Sequence, residues 1–120
     1  MELAMCQIDA SISDYCEYRK LSDTVARARK QYQCDTCDGA IATGQQYQRV
    51  VSLHDGEIHT ERSCVPCRDD RRRFAKAHGY GDWTASGFTP WLDECIDETE
   101  GRERRRWLAM RERIAARGAA

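Results

Sequence analysis

The sequence predicts a single-domain α+β fold, and three observations carry that prediction. Two Cys-x-x-Cys pairs, Cys34/Cys37 and Cys64/Cys67, bracket a segment rich in strand-forming residues. A helical pattern begins at the second pair, and two further helical patterns follow it. The chain has 120 residues, a mean hydropathy of −0.77 and 41% hydrophobic residues. That supply of apolar side chains builds a modest core, which a metal staple would reinforce. The expected organisation is an N-terminal extension over 1–33, a zinc-binding core over 34–79, and an aromatic loop with packed helices over 80–120.

Residues 1–33 are weakly patterned, and short helices are expected over Asp14–Lys20 and Asp23–Lys30, with Ser22 or Asp23 as a cap. Cys34-Asp-Thr-Cys37-Asp-Gly39 has the form of a metal knuckle, and Gly44 marks a turn. Gln46–Leu53 should form a strand, and Ile58–Arg62 should return beside it through the Asp55-Gly56 pair favoured in tight hairpins. Ser63 is the expected N-cap of a helix that carries Pro66 in its first turn and ends at Gly79. Beyond a loop bearing Tyr80, Trp83 and Phe88, Thr89-Pro90 should open a second helix. Its apolar face would be Trp91, Leu92, Cys95 and Ile96. Gly101 should interrupt the chain. A last helix over Arg102–Arg117 then carries Trp107, Leu108, Met110, Ile114 and Ala115 on a stripe among arginines. We expect the aromatic cluster Tyr80, Trp83, Phe88 and Trp91 to cover the first helix.

Seven cysteines is an odd number, and the opening residues lack the basic-then-apolar pattern of a secretory signal. The expected location is cytoplasmic, where a disulfide framework is disfavoured. Four thiolates in two close pairs suit a tetrahedral zinc ion, so Cys34, Cys37, Cys64 and Cys67 are the predicted ligands of one structural zinc. Such a set leaves no open coordination position. His54 and His59 compete poorly against four sulfurs and are expected to be exposed in the hairpin. His78 is placed at a helix end, where a cation suits the dipole. Cys95 reads as a small core residue. Cys6 and Cys16 have no partner pattern.

The order of knuckle, hairpin and paired cysteines at a helix start resembles the treble-clef zinc fingers over about residues 32–78. A more extended likeness runs from Ala28-Arg29-Lys30 through Cys34-x-x-Cys37, Ile41, Gly44, Tyr47 and Asp55-Gly56 to Cys64-x-x-Cys67. It resembles small zinc-finger proteins encoded by bacteriophages and prophages. That resemblance implies a viral accessory protein, acting in the host cytoplasm, and implies no mechanism.

Two enzymatic readings fare poorly. The treble clef also supports HNH nucleases, whose general-base histidine has a counterpart only in His54. Their central asparagine has none, because the sequence contains no asparagine, and the Asp-Gly turn leaves no room for a catalytic metal loop. Cys64-Val-Pro-Cys67 resembles a thioredoxin-like redox motif, but no series of buried parallel strands surrounds it. A non-enzyme is expected.

Charge is segregated although the formal net charge is only −1. Six acids lie in 81–101 without a base, and seven arginines lie in 102–117 with two acids. Those blocks could neutralise each other in the fold or between two copies, and a monomer and a dimer both fit. Arg68, Arg72 and Lys76 share a face of the first helix, flanked by Arg71 and Arg73. Arg102, Arg106, Arg113 and Arg117 can share a side of the last. These are the candidate partner-binding residues, against the plainer alternative of a solvated face with i,i+4 ion pairs. The expected function is non-catalytic contact with a host protein, inhibiting or modulating it (a defence protein is one such target). Nucleic-acid binding through the helical arginines is the alternative. No membrane partner is expected, as no apolar run approaches a membrane span.

Overall fold

The computed structural model describes residues 18–78 and 84–119. The expectations for residues 14–17, for Cys6, Cys16, Tyr80 and Trp83, and for a helix stop at Gly79 lie outside them. The described elements are β1 (Tyr18–Arg27), β2 (Tyr32–Gln33), β3 (Ala40–Ile41), β4 (Gln46–His54), β5 (Glu57–Cys64), α1 (Val65–His78), α2 (Phe88–Glu98) and α3 (Gly101–Ala119). The fold is a mixed α/β one, with an antiparallel sheet and three helices.

The hairpin forms where Asp55-Gly56 places it. Both residues take positive φ, 54° and 83°, as a two-residue mirror-image turn requires. His54 therefore pairs with Glu57, and the register runs without a slip to Tyr47 opposite Cys64. The sheet order is β1-β4-β5, so the expected helices over Asp14–Lys20 and Asp23–Lys30 are corrected, within the described residues, to a strand over Tyr18–Arg27, and residues 28–30 belong to no regular element. Ser22-Asp23-Thr24-Val25 is a poor helix former, and β4 offers an unpaired backbone edge. Pairing satisfies both strands, from Tyr18 opposite His54 to Arg27 opposite Gln46, with a bulge at Leu21.

Two expected helix starts are also corrected. Ser63 belongs to β5, and its hydroxyl donates to Gln48 Oε1 at 3.1 Å instead of capping α1. Helix α2 opens one residue before Thr89, after Gly87, with no side-chain cap. Its buried face is Phe88, Leu92, Cys95 and Ile96, while Trp91 stays 39% exposed. The stripe of α3 is narrower than expected: Trp107, Met110 and Ile114 are buried, whereas Leu108 and Ala115 face outward.

The helices meet in an aromatic cluster. Phe74 of α1 lies edge-on to Phe88 of α2 at 5.4 Å and to Trp107 of α3 at 4.7 Å, all three almost fully buried. His78 stacks on Trp107 at 5.8 Å. Such pairs add about 0.5–1.5 kcal/mol each beyond the area they bury. Gly101, at φ 63°, lets the chain turn from α2 into α3. Asp93 then pairs with Arg111 at 2.9 Å across the two helices. Among the described residues, no helix is long and apolar enough to cross a membrane.

Candidate metal centre

The fold brings Cys34, Cys37, Cys64 and Cys67 together. All four are buried, and their Sγ atoms lie within 4.8 Å of one another. Cys34 and Cys67 are fully sealed from solvent. A tetrahedron of Zn–S bonds of about 2.3 Å sets its sulfurs about 3.8 Å apart. Cys37 and Cys64 stand at 4.0 Å.

Local backbone geometry aims the sulfurs. The turn after Cys34 is closed by Asp38 N–H donating to the Cys34 carbonyl at 2.9 Å and by Cys34 N–H donating to the Gly39 carbonyl at 2.8 Å. Asp38 takes φ 66° to make it. The turn directs N–H groups inward: Thr36 and Cys37 donate to Cys34 Sγ at 3.4 and 3.5 Å, and Gly39 donates to Cys37 Sγ at 3.4 Å. Cys64, at the end of β5, donates a third N–H to Cys34 Sγ at 3.3 Å. Cys67 lies in the first turn of α1, where free N–H groups favour a thiolate. These are donors that stabilise sulfur as an anion.

Protons alone divide the cluster unevenly. S–H donation from Cys64 and Cys67 pushes the Cys34 thiol far down. The same contact to Cys34 pushes Cys64 up to about 11, and Cys67 higher still. Four sulfurs this close cannot all ionise without a cation between them. A divalent soft-tolerant ion resolves the conflict, and the donor set fits one.

The surroundings add charge that sequence reading missed. The buried face of α1 is Cys67, Asp70, Arg71 and Phe74. Arg71 was expected at the surface beside a basic face, but it is buried and reaches across to the sheet. Its guanidinium donates to Thr36 Oγ1 at 3.1 Å, to Ser63 Oγ at 3.2 Å and to Gln48 Oε1. Burial pulls its pKa down, opposed by the charges of Cys67 and Cys34. Arg117 reaches in from α3. Burial opposes its charge, yet Asp70 and Cys67 outweigh that and raise its pKa. Two arginines thus offset the excess negative charge that four thiolates would leave around a divalent ion.

Asp70 is the anchor of this layer. It is 1% exposed and accepts from Arg73 at 2.8 Å, Arg113 at 3.3 Å and Arg117 at 2.6 Å. The spacing from Cys67 to Phe74 was the available signal: positions 70 and 71 fall on the stripe those two define.

The end of α3 lies against the cysteine turn. A Cβ on Gly39 would sit 2.7 Å from the Arg117 carbonyl oxygen, and a Cβ on Gly118 would collide with the carbonyl of Cys37. Both neighbours are backbone and cannot swing away. We therefore expect Gly118→Ala to lower stability by about 2 kcal/mol, as overpacking does. Thermal unfolding of the variant checks this, and a melting temperature equal to the parent's refutes it.

The other predicted residues stay apart from the cluster. His54 and His59 are half-exposed on the hairpin, their rings 6.2 Å apart, facing Asp55 at 3.9 Å and Glu57 at 3.8 Å. They line an open groove of about 580 Å³ with Tyr18, Ser52 and Glu61. Arg68 is paired to Asp69 at 3.1 Å, and Arg113 to Asp70. Arg72, Lys76, Arg102 and Arg106 are exposed, with Arg106 lying over the Trp107 ring. Cys95 is buried, as expected, 3.9 Å from His78 Nε2. Comparison with protein-family models, with curated proteins and with solved structures finds no match to this chain.

Proposed function

We propose that this chain is a treble-clef zinc protein, non-catalytic, and that it works by contact with another protein. One structural zinc is held by Cys34, Cys37, Cys64 and Cys67. The observation that carries this reading is the closure of the donor set. Four buried sulfurs lie within 4.8 Å of one another, and together they would complete the tetrahedral shell of one zinc and leave no position for water or substrate. The ion then serves folding, and function is sought on the surfaces that it holds in place. The resemblance of the segment from Ala28 to Cys67 to small phage and prophage zinc-finger proteins supports the role of a phage-type accessory protein that modulates or inhibits a host defence protein in the cytoplasm. Exposed Trp91 and Leu108 support it, since each is a large apolar side chain at the surface of a helix with charged neighbours. Apolar anchors rimmed by charge are the usual anatomy of a protein interface.

The nucleic-acid alternative placed on the helix arginines has weaker support. Arg68 and Arg113 already have carboxylate partners within the chain. Arg72, Lys76, Arg102 and Arg106 remain exposed for such a role.

Metal analysis should find one zinc per chain. Well under one, with the fold unchanged by a chelator, refutes the zinc assignment. A pulldown from nuclease-treated host lysate tests the contact reading. We expect a stoichiometric protein partner that survives nuclease and is lost with Trp91→Ala. A partner released by nuclease, or none at all, overturns it.

A further inference from the structure

The sheet sorts its charges by face. Cross-strand partners share a face, and successive residues alternate. On one face the register aligns Tyr18, Lys20 and Asp23 of β1 with His54, Ser52 and Val50 of β4, and these with Glu57, His59 and Glu61 of β5. Helix α1 covers part of that face, where Arg71 meets Gln48 and Ser63. All three acids of the paired strands lie there. The opposite face carries three rows: Arg19-Leu53-Ile58, Ser22-Val51-Thr60 and Thr24-Arg49-Arg62. It has three arginines and three hydroxyls, and no acid. None of its nine residues is buried. Beyond the last row, Tyr32 packs on Tyr47, with Arg62 over its ring at 4.3 Å and Lys30 at 5.7 Å.

This arrangement is costly for the free protein. Arg49 and Arg62 stand directly opposite on adjacent strands, and like charges in that position repel. Among the described residues, none of Arg19, Arg49 and Arg62 has a carboxylate partner for its guanidinium. The nearby Asp35 accepts the backbone N–H of Arg62 through Oδ2, and its charge is within electrostatic reach of Arg62 without an ion-pair contact to the guanidinium. The Nε of Arg62 is buried with no hydrogen-bond partner. An anion on this face would relieve the repulsion.

We propose that this face binds a nucleic-acid single strand through its phosphates. Arginine, lysine, serine and threonine side chains are the groups that contact phosphate oxygens. Leu53 and Ile58 share the first row with Arg19, and Val51 stands between that row and Arg49 of the third, so an aliphatic strip borders the cations at both ends. A single strand can lay base surfaces on that strip while its phosphates reach the arginines that border it. A duplex keeps its base faces stacked inside. This site goes beyond the protein-contact reading and lies on a different surface from the helix residues Arg72 and Lys76.

The test uses the metal-loaded full chain and a fluorescently labelled 20-nucleotide single strand, read by anisotropy over a range of salt. Binding should weaken with salt at a slope of about −2 to −3, corresponding to three or four phosphates neutralised. Arg49→Ala with Arg62→Ala should weaken binding at least tenfold and reduce the slope by about 1.4. Arg72→Ala with Lys76→Ala should leave binding unchanged. Retained metal stoichiometry and melting temperature show that each variant folds, and Arg49→Gln with Arg62→Gln serves if the alanine pair does not. No binding at low salt overturns the proposal. So does equal binding of a duplex, or of polyglutamate, which would mark an acidic protein partner instead. Loss of binding only in the Arg72/Lys76 variant would place the site on α1 and overturns it as well.

Discussion

A Cys34→Ser variant will bind no metal and will lose its cooperative unfolding transition. The Cys34 sulfur accepts N–H groups from Thr36, Cys37 and Cys64, so it joins the turn to the end of β5. Structural zinc contributes an apparent 10 kcal/mol or more in small fingers, on the order of the whole stability of a domain. Cys95→Ser, outside the cluster, will retain the metal. The check is metal analysis combined with thermal melts followed by circular dichroism. A Cys34→Ser protein that melts like the parent refutes the assignment. Retention will also depend on pH. An ion must displace protons from thiols such as Cys64, held up at about 11 by its contact with Cys34. Falling pH therefore favours release, and rising pH favours uptake.

The four-cysteine cluster was legible because two short spacings and a turn signal are local properties. Asp55-Gly56 fixes the hairpin, the hairpin brings residue 64 back beside residue 47, and α1 carries Cys67 into reach. The strand β1 was not legible. Its sequence is indifferent between states, and what decides it is the backbone edge of β4, about 25 residues away, in the way tertiary context overrides propensity. The Ser63 cap failed for a related reason: its hydroxyl had a better partner in Gln48, which only the sheet supplies. Arg71 looked like a surface charge because burial of charge is rare, and Asp70 carried no expectation. Each is buried because the fold brings it partners, from Thr36 to Arg117. No local pattern reveals such partners.

An Asp70→Ala variant should lose about 3 kcal/mol of stability while keeping its metal. Removing one partner of a buried ion pair costs about 3–5 kcal/mol, because the remaining charge is left without compensation. The lower end applies here. Arg73 and Arg113 are at least half exposed and can turn to water, whereas Arg117 is 23% exposed and held beside Cys67. Urea titration measures the loss, and metal analysis separates it from the effect of Cys34→Ser. A change below 1 kcal/mol would mean that water replaces the carboxylate. Asp70→Asn, which keeps the shape and some hydrogen bonds, should fall between.

The contact between Gly118 and the Cys34–Gly39 turn has a consequence for time. The donor set is complete once Cys67 has been made, but the helix end that seals it lies about 80 residues along the chain from the turn, a separation that makes its docking a late event. A growing chain would therefore capture its ion through an open door and close the door afterwards. Capture would be fast and exposed to competing metals, whereas escape would wait on the undocking of α3. The identity of the ion would then be decided during synthesis and preserved by kinetics.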